Sequence, residues 1–521
     1  MNIFAGKKTR ISWLLALLLL CLPAASYAQQ ENPPGQTQPS PTQPETPSQP
    51  EDQTQTQTPA GEADQPSQEP GEGGTESVNN GIQPSTPPGE VPNSEENVVP
   101  VPLPLNLDAS SLRFSSETEH RNYLRGGVNL GASYDDNILA QPTHPVGSAT
   151  YSVMPNLMLD QARSRLFWAL QYAGGFVVNQ RFSAYNQGSH DVGIDLRYRV
   201  SPHVNFHLRD HYTLTSNFSD QLQAGSGLTS SPGTGPVQQP NQSIVTPLAK
   251  TARELGTAEM TWQFSAGDMV GGSATFYDSR FKDVPQNVTS LVNTQSEEGD
   301  GFYSHRITTR NWAGVAYKFQ RLTFNPTTET DETQSFLLFD TIYLKPRMAL
   351  SLFAGPEYST LNTEMVSTLV TLPLVQVTSD PITTHHWYGA GGVSFNWQGA
   401  RTSAQLSAVR KVSDGGGLLS AVEYSGGAAS LRRQFTPSTA IEVGAIYSQN
   451  HALDPSAANG DLNSASGSLA LEQRLGRSFS ANLGYARDYL QSQGGVTLPG
   501  QVNHNRGWVT LSYHFDRPLG R

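Results

Sequence analysis

Residues 191–214, DVGIDLRYRVSPHVNFHLRDHYTL, alternate apolar and polar side chains through two runs joined by Ser201-Pro202-His203. The even positions Val192, Ile194, Leu196, Tyr198, Val200, Val204, Phe206, Leu208, Tyr212 and Leu214 are apolar, and Asp210 breaks the series. The odd positions carry Asp191, Asp195, Arg197, Arg199, His203, Asn205, His207, Arg209, His211 and Thr213, with Gly193 among them. Side chains along a strand point to opposite faces in turn, so the stretch reads as a long β-hairpin with one greasy and one wet face. The greasy face needs either a protein core or a lipid bilayer.

The N-terminus narrows that choice. Lys7, Lys8 and Arg10 precede an apolar run from Trp13 to Leu22, and Ser26-Tyr27-Ala28 offers a small-x-small cleavage site; residues 1–28 therefore read as an export signal. Cys21, the only cysteine, lies inside that signal and follows Leu20, where a lipoprotein signal wants a small residue. The mature chain is expected to carry no thiol, unlike a small disulfide-stapled secreted domain. Residues 29–111 hold thirteen carboxylates and no Lys or Arg among Pro, Gln, Thr, Ser and Gly. Such a composition buries too little apolar surface to offset its ordering entropy, so 29–121 is expected to be a disordered, self-repelling acidic segment in the periplasm. Of the formal charge of −12, the signal contributes +3 and residues 29–111 contribute −13, which leaves −2 for the remainder. The domain itself is close to neutral, and nucleic acid is not an expected partner.

From Tyr123 to Phe515 the chain is a succession of alternating segments, and no apolar run after residue 28 is long enough for a spanning helix. Eighteen candidate strands can be counted, with sixteen as the alternative; among them are segments near 301–309, 348–359 and 384–397. Tight turns at Ser201-Pro202-His203, Gly267-Asp268, Thr309-Arg310, Lys345-Pro346-Arg347, Gly399-Ala400, Thr436-Pro437-Ser438 and Gly476-Arg477 alternate with long polar links such as 216–250, 282–300 and 360–383. Sorted loops of this kind belong to a transmembrane barrel, with short turns on one rim and long loops on the other. The expected fold is thus all-β: a closed antiparallel barrel over 122–515 in the outer membrane, followed by a short extension at 516–521. Hydrocarbon forbids an open sheet edge, so the last strand must pair with the first. Val509, Leu511, Tyr513 and Phe515 share one face of that last strand and resemble the C-terminal signal read by the barrel-assembly machinery. Trp262, Trp397, Phe479 and Phe515 fall at the short-turn ends, where a lipid-facing aromatic girdle is expected.

At the end of the first strand, Gly131-Ala132-Ser133-Tyr134-Asp135-Asp136-Asn137-Ile138 resembles the G-x-S-Y-D-D-N-I opening of the β-barrel porin 2 family. The resemblance rests on Gly131, Tyr134, Asp135, Asp136, Asn137 and Ile138 and implies an outer-membrane barrel accompanying exopolysaccharide synthesis and export components. It implies no catalytic residue.

Chemistry is sparse elsewhere. His203, His207 and His211 recur every four residues, which on a strand separates neighbours by about 13 Å, too far to share one metal ion. Asp135, Asp136 and Asn137 offer oxygens at a rim, yet the twelve-residue calcium-loop spacing is absent and a polar turn is the expectation. Without a nucleophile elbow, phosphate loop or paired Cys ligands, neither an enzyme nor a cofactor is expected, and Gly415-Gly416-Gly417 reads as loop punctuation.

If the even face of the hairpin meets lipid, the odd face lines a lumen. A three-residue loop would pair Val200 with Val204 and set Arg197 opposite His207 and Asp195 opposite Arg209, the last two as a cross-strand ion pair. Candidate lumen-lining residues are Asp191, Asp195, Arg197, Arg199, Asn205, His207, Arg209, Glu259, Lys411 and Trp508, with Trp508 either stacking on a sugar or packing the wall. Asp210 is assigned to a local bulge. The expected function is a channel for diffusion or export of polar solutes, with exopolysaccharide as the implied cargo; the alternative is a non-conducting envelope anchor acting through its loops and acidic segment.

Overall fold

The computed structural model describes residues 122–183, 186–215, 249–282, 291–326, 329–371, 374–453, 460–493 and 500–519, with the side chains of 187, 364–380 and 493 left undescribed. The expected signal, the acidic segment and most of the 216–250 link lie outside the described residues. The strands in chain order are β1 (Tyr123–Asp135), β2 (Ser148–Ala162), β3 (Leu166–Asn179), β4 (Gln187–Ser201), β5 (Val204–Thr215) and β6 (Lys250–Gln263). They continue as β7 (Asp268–Lys282), β8 (Asn293–Thr308), β9 (Asn311–Asn325), β10 (Thr330–Lys345), β11 (Met348–Thr371) and β12 (Leu374–Gln398). The last six are β13 (Thr402–Gly415), β14 (Leu419–Thr436), β15 (Thr439–Ala452), β16 (Asp461–Arg474), β17 (Phe479–Gln493) and β18 (Gly500–Pro518).

Each strand pairs antiparallel with the next, and β1 pairs with β18 from Tyr123↔Pro518 to Asp135↔Arg506. The sheet is therefore a closed barrel of eighteen strands, which satisfies backbone groups from one strand to the next. Alternation sorts the two faces. On β10, Asp331, Thr333, Ser335, Leu337 and Phe339 are buried inward while Phe336 and Leu338 are exposed outward. Exposed large apolar side chains recur around the wall, among them Leu157, Phe176, Met260, Leu338, Leu406, Leu469, Leu483 and Leu511. A continuous apolar band of this extent is a lipid-facing surface and not the surface of a soluble sandwich.

Turns on one rim are short: 202–203 joins β4 to β5, 309–310 joins β8 to β9 and 437–438 joins β14 to β15. The opening hairpin keeps the expected register of Asp195↔Arg209 and Arg197↔His207, but Ser201 pairs with Val204 and Val200 is skipped in a bulge. Pro202-His203 is thus a two-residue turn in place of the three-residue loop, and the extra residue is absorbed as a bulge next to it. Asp210 is not bulged. Its ladder runs unbroken through Ile194↔Asp210 and Asp210↔Gly256, so its side chain shares the outward face with its apolar neighbours.

Strand extends into two of the expected links, over 293–300 of the 282–300 link and most of 360–383. β8 begins at Asn293, and β11 and β12 stay paired out to Thr371↔Leu374. β-branched residues are frequent along Val366–Val377, and that propensity carries pairing beyond the neighbouring strands. The last strand also runs past Phe515, with Asp516 opposite Arg125 and Pro518 opposite Tyr123.

Aromatic rings on the inner wall lie over glycines of adjacent strands. A side chain at Gly271 would meet the Phe302 ring at 2.6 Å, so Gly271 is the hollow into which that ring packs.

Candidate functional site

The inner face of β4–β6 holds a charged network whose pairing differs from the sequence expectation. Asp195 and Arg209 stand opposite each other, yet Asp195 binds Arg197 Nε and His207 Nε2, each at 3.2 Å. Arg209 turns away and its Nη2 reaches Glu259 Oε1 on β6 at 2.5 Å. Arg209 faces Thr257 across the next seam, so its long side chain meets the diagonal carboxylate of Glu259 while His207 completes Asp195. His207 Nδ1 also approaches Glu259 Oε2 at 3.6 Å. One turn of pleat higher, His211 Nε2 lies 2.9 Å from Asp191 Oδ2, and Thr213 Oγ1 donates to the same oxygen. His203 sits in the exposed turn. The structure thus gathers Asp191, Asp195, Arg197, His207, Arg209 and Glu259 into one wall patch and adds His211 and Thr213. Arg199 and Asn205 face each other, exposed, near the short-turn rim, and Lys411 stands apart on β13.

Ion pairs continue around the wall. Arg125–Asp160 at 3.2 Å, Lys318–Glu298 at 2.8 Å and Arg506–Asp488 at 2.8 Å tie adjacent strands, and Arg432–Glu472 at 2.5 Å reaches across β15 from β14 to β16. In the long-loop half of β8–β11, carboxylates outnumber cations: Glu298, Asp300, Asp331 and Glu357 accompany Lys318 on the inner face. Asp331 accepts from Thr333 and Ser359, and Glu357 accepts from Ser335 at 2.9 Å.

Trp508 also points inward but is only 6 % exposed. Its Nε1 donates to Asn482 Oδ1 at 3.2 Å and its ring fills the hollow of Gly484, so it packs the wall and presents no open face for a sugar. The outward aromatics lie at the short-turn ends: Trp262 near the end of β6, Trp397 near the end of β12, Phe479 opening β17 against Tyr513, and Phe515 over Gly126.

The Gly131–Ile138 motif stitches the closing seam at the long-loop end. Gly131 lies within β1 and Tyr134 faces outward, while Asp135, Asn137 and Ile138 are buried. Asp135 accepts the Asn137 backbone N–H at 2.9 Å and meets His504 Nε2 of β18 at 2.5 Å. Asp136 accepts both the backbone N–H and the Nδ2 of Asn505, at 2.7 and 2.6 Å. Asn137 Nδ2 donates to the Gln141 and Asn503 carbonyls, and its Oδ1 takes the Gln141 N–H. The oxygens that sequence spacing offered to a cation are thus engaged in binding the first loop to the last strand.

The long-loop mouth contains a feature that sequence reading passed over. β12 and β13 pair from Gln398↔Ser403 only as far as Gly391↔Arg410, whereas β13 stays with β14 to Gly415↔Leu419. Beyond Arg410 the β13–β14 hairpin leaves β12 and folds into the lumen. Both of its faces are buried: Val412, Ser413, Asp414, Leu418, Leu419, Ala421 and Val422 are each at most 9 % exposed. Leu418, Leu419 and Val422 pack with Ala249 before β6, Leu291 before β8, Leu490 of β17 and Val502 of β18. Val412 and Ala421 pack with Leu322, Phe324, Leu361 and Leu453. Contacts with strands from β6 through β18 require the tip to cross the lumen.

Polar bonds fix the same geometry. Val292 N–H donates to the Gly417 carbonyl at 2.9 Å and Leu453 N–H to the Ala421 carbonyl at 3.0 Å. Glu357 on β11 accepts the Val412 N–H at 3.0 Å, and Glu329 beside β10 accepts the Ala421 N–H at 3.4 Å. Asp414 lies within electrostatic reach of Arg253 on β6. Gly416 and Gly417, with φ of 62° and 91°, make the tip turn, and a side chain at Gly417 would collide with the Phe281 ring.

No family model matches the chain, and no curated protein matches its sequence. Among solved structures it is similar to OpdQ of Pseudomonas aeruginosa at 8 % identity and TM-score 0.36, over 75 % of this chain and 98 % of that one. OpdK of the same organism gives 9 % identity and TM-score 0.37 over 76 % and 99 % of the two chains. The ferric citrate transporter FecA gives 9 % identity and TM-score 0.36 over 76 % and 79 %. Likeness at this level transfers no residue, ligand or mechanism.

Proposed function

We propose that the protein is an outer-membrane channel for polar solutes, with its short turns in the periplasm and its long loops outside, and that polysaccharide is the solute class. One observation carries the channel reading: the inner wall of this eighteen-stranded barrel is polar and ion-paired, and a barrel of that many strands is in general wider than its own wall side chains can fill. A barrel serving only as an anchor has no need of such an interior. The polysaccharide assignment and membership of the β-barrel porin 2 family rest on the Gly131–Ile138 motif. Residues 1–28 as export signal, the acidic segment on the periplasmic side and delivery by the barrel-assembly machinery through β18 belong to the same proposal. The carboxylate surplus on β8–β11 favours neutral or cationic cargo over polyanions.

The anchor reading is favoured by one fact, the hairpin lying across the mouth. Planar-bilayer recording and liposome swelling with a malto-oligosaccharide series separate the two. The channel reading expects ionic steps and size-graded sugar entry, at the latest once Ser413–Ser420 is replaced by an Asn-Gly turn. Silence in both assays, from the full-length protein and from that shortened variant, refutes it and leaves the anchor.

A further inference from the structure

The geometry points to the β13–β14 hairpin as a latched gate, held across the lumen by the carboxylates of Glu357 and Glu329. This rests on the channel reading and goes beyond it, because a fixed constriction and a gate make different demands on the seams. A constriction is built into the wall. Here the wall is interrupted on one side only: pairing with β12 stops at Gly391↔Arg410, while pairing of β14 with β15 continues to Val422↔Ala452. The hairpin is thus free along one edge and attached along the other, like a leaf on a hinge.

The free edge explains the carboxylates. Once β13 leaves β12, its edge-facing N–H groups lose ladder partners, and a buried N–H left without an acceptor is destabilising. Glu357 answers that need at Val412, reaching from β11 past the position where β12 would have bonded, and is itself oriented by Ser335. On the hairpin's other arm, just beyond the last β14–β15 pair at Val422↔Ala452, Glu329 accepts the Ala421 N–H in the same way. Both acceptors are side chains of the wall and not backbone of an adjacent strand. Their bonds can be broken and remade without unzipping a ladder. The tip contacts are of the same detachable kind, since Leu418 and Leu419 pack on side chains at strand ends and a single backbone bond joins Gly417 to Val292.

Full-length protein in planar bilayers provides one test, and thiol labelling the second. The Glu357→Ala/Glu329→Ala double variant is expected to raise open probability at least tenfold over the parent. Glu357→Gln retains an acceptor oxygen for the Val412 N–H and is expected to behave as the parent. Replacing Ser413–Ser420 by Asn-Gly is expected to give a permanently open pore. Leu418→Cys, buried in the closed state, should react slowly with a water-soluble maleimide and at least tenfold faster in the double-alanine background; Cys21 is the only native cysteine. Heat-modifiable gel mobility verifies that each variant is folded. If the shortened hairpin conducts while the double variant leaves both open probability and labelling unchanged, the hairpin is a fixed plug and the gate is wrong although the channel stands. If labelling accelerates and no variant conducts, the latch holds and the channel reading fails. Glu357→Gln opening as readily as the alanine variant would overturn the hydrogen-bond latch.

Discussion

Asn137→Ala tests whether the Gly131–Ile138 motif is what fastens the barrel shut. Asn137 is 1 % exposed and makes three hydrogen bonds, to the Gln141 carbonyl at 2.8 Å, the Asn503 carbonyl at 3.1 Å and the Gln141 N–H at 2.9 Å. Each neutral bond contributes about 1 kcal/mol net, so truncation should cost about 3 kcal/mol, with the carbonyl of Asn503 on β18 among the groups that lose their partner. Every 1.4 kcal/mol is a factor of ten, so the folded-to-unfolded ratio should fall on the order of a hundredfold. The closing seam joins strands far apart in the chain, so weakening its outer end should lower global stability and not merely fray a loop. Urea unfolding of the barrel in lipid vesicles, followed by tryptophan fluorescence, measures the effect. A matched Asp136→Ala variant should lose a comparable amount, because Asp136 takes two short bonds from Asn505. A destabilisation below about 0.5 kcal/mol for Asn137→Ala would show that the motif does not fasten the seam, and a role at the mouth would then be its remaining explanation.

Other expectations follow from the same wall. Leu338→Arg places a cation on the lipid-facing band at a residue 60 % exposed and should destabilise by about 2–4 kcal/mol in vesicle unfolding, whereas a cost under 1 kcal/mol would place Leu338 outside the hydrocarbon. Asp210→Leu should stabilise the barrel by about 1 kcal/mol or more, since Asp210 faces outward with Oδ1 lacking a hydrogen-bond partner; loss of stability would reveal a partner for this carboxylate. Gly271→Val should prevent folding or cost more than about 3 kcal/mol, as its Cβ would lie 2.6 Å from the Phe302 ring, and a normally folded variant would refute the aromatic–glycine packing. The shortened-hairpin pore should prefer potassium to chloride in reversal-potential measurements across a salt gradient, and an anion preference would refute the reading of the carboxylate surplus on β8–β11.

Alternation of period two sufficed to read the barrel, its strand number and the inward face, because lipid and lumen impose the same rule on every strand of the wall. What it could not supply was partner choice within a face. Asp195 and Arg209 are opposite in the ladder, yet reach and neighbouring strands decide that Asp195 keeps Arg197 and His207 while Arg209 crosses to Glu259. β6 is separated from that hairpin by a long link, so its contribution was visible only as Glu259 sharing the parity. The hairpin in the lumen escaped for a different reason. Gly415-Gly416-Gly417 looks like any loop tip, and a loop is expected to stand in water. The flanking residues carry the missed signal: Leu418-Leu419 and Ala421-Val422 are adjacent apolar pairs, which a one-sided strand cannot bury. Where period two fails inside a segment that still pairs, the chain has two covered faces. In a barrel with lipid outside, the place that can cover both faces of a hairpin beyond the band is the lumen itself.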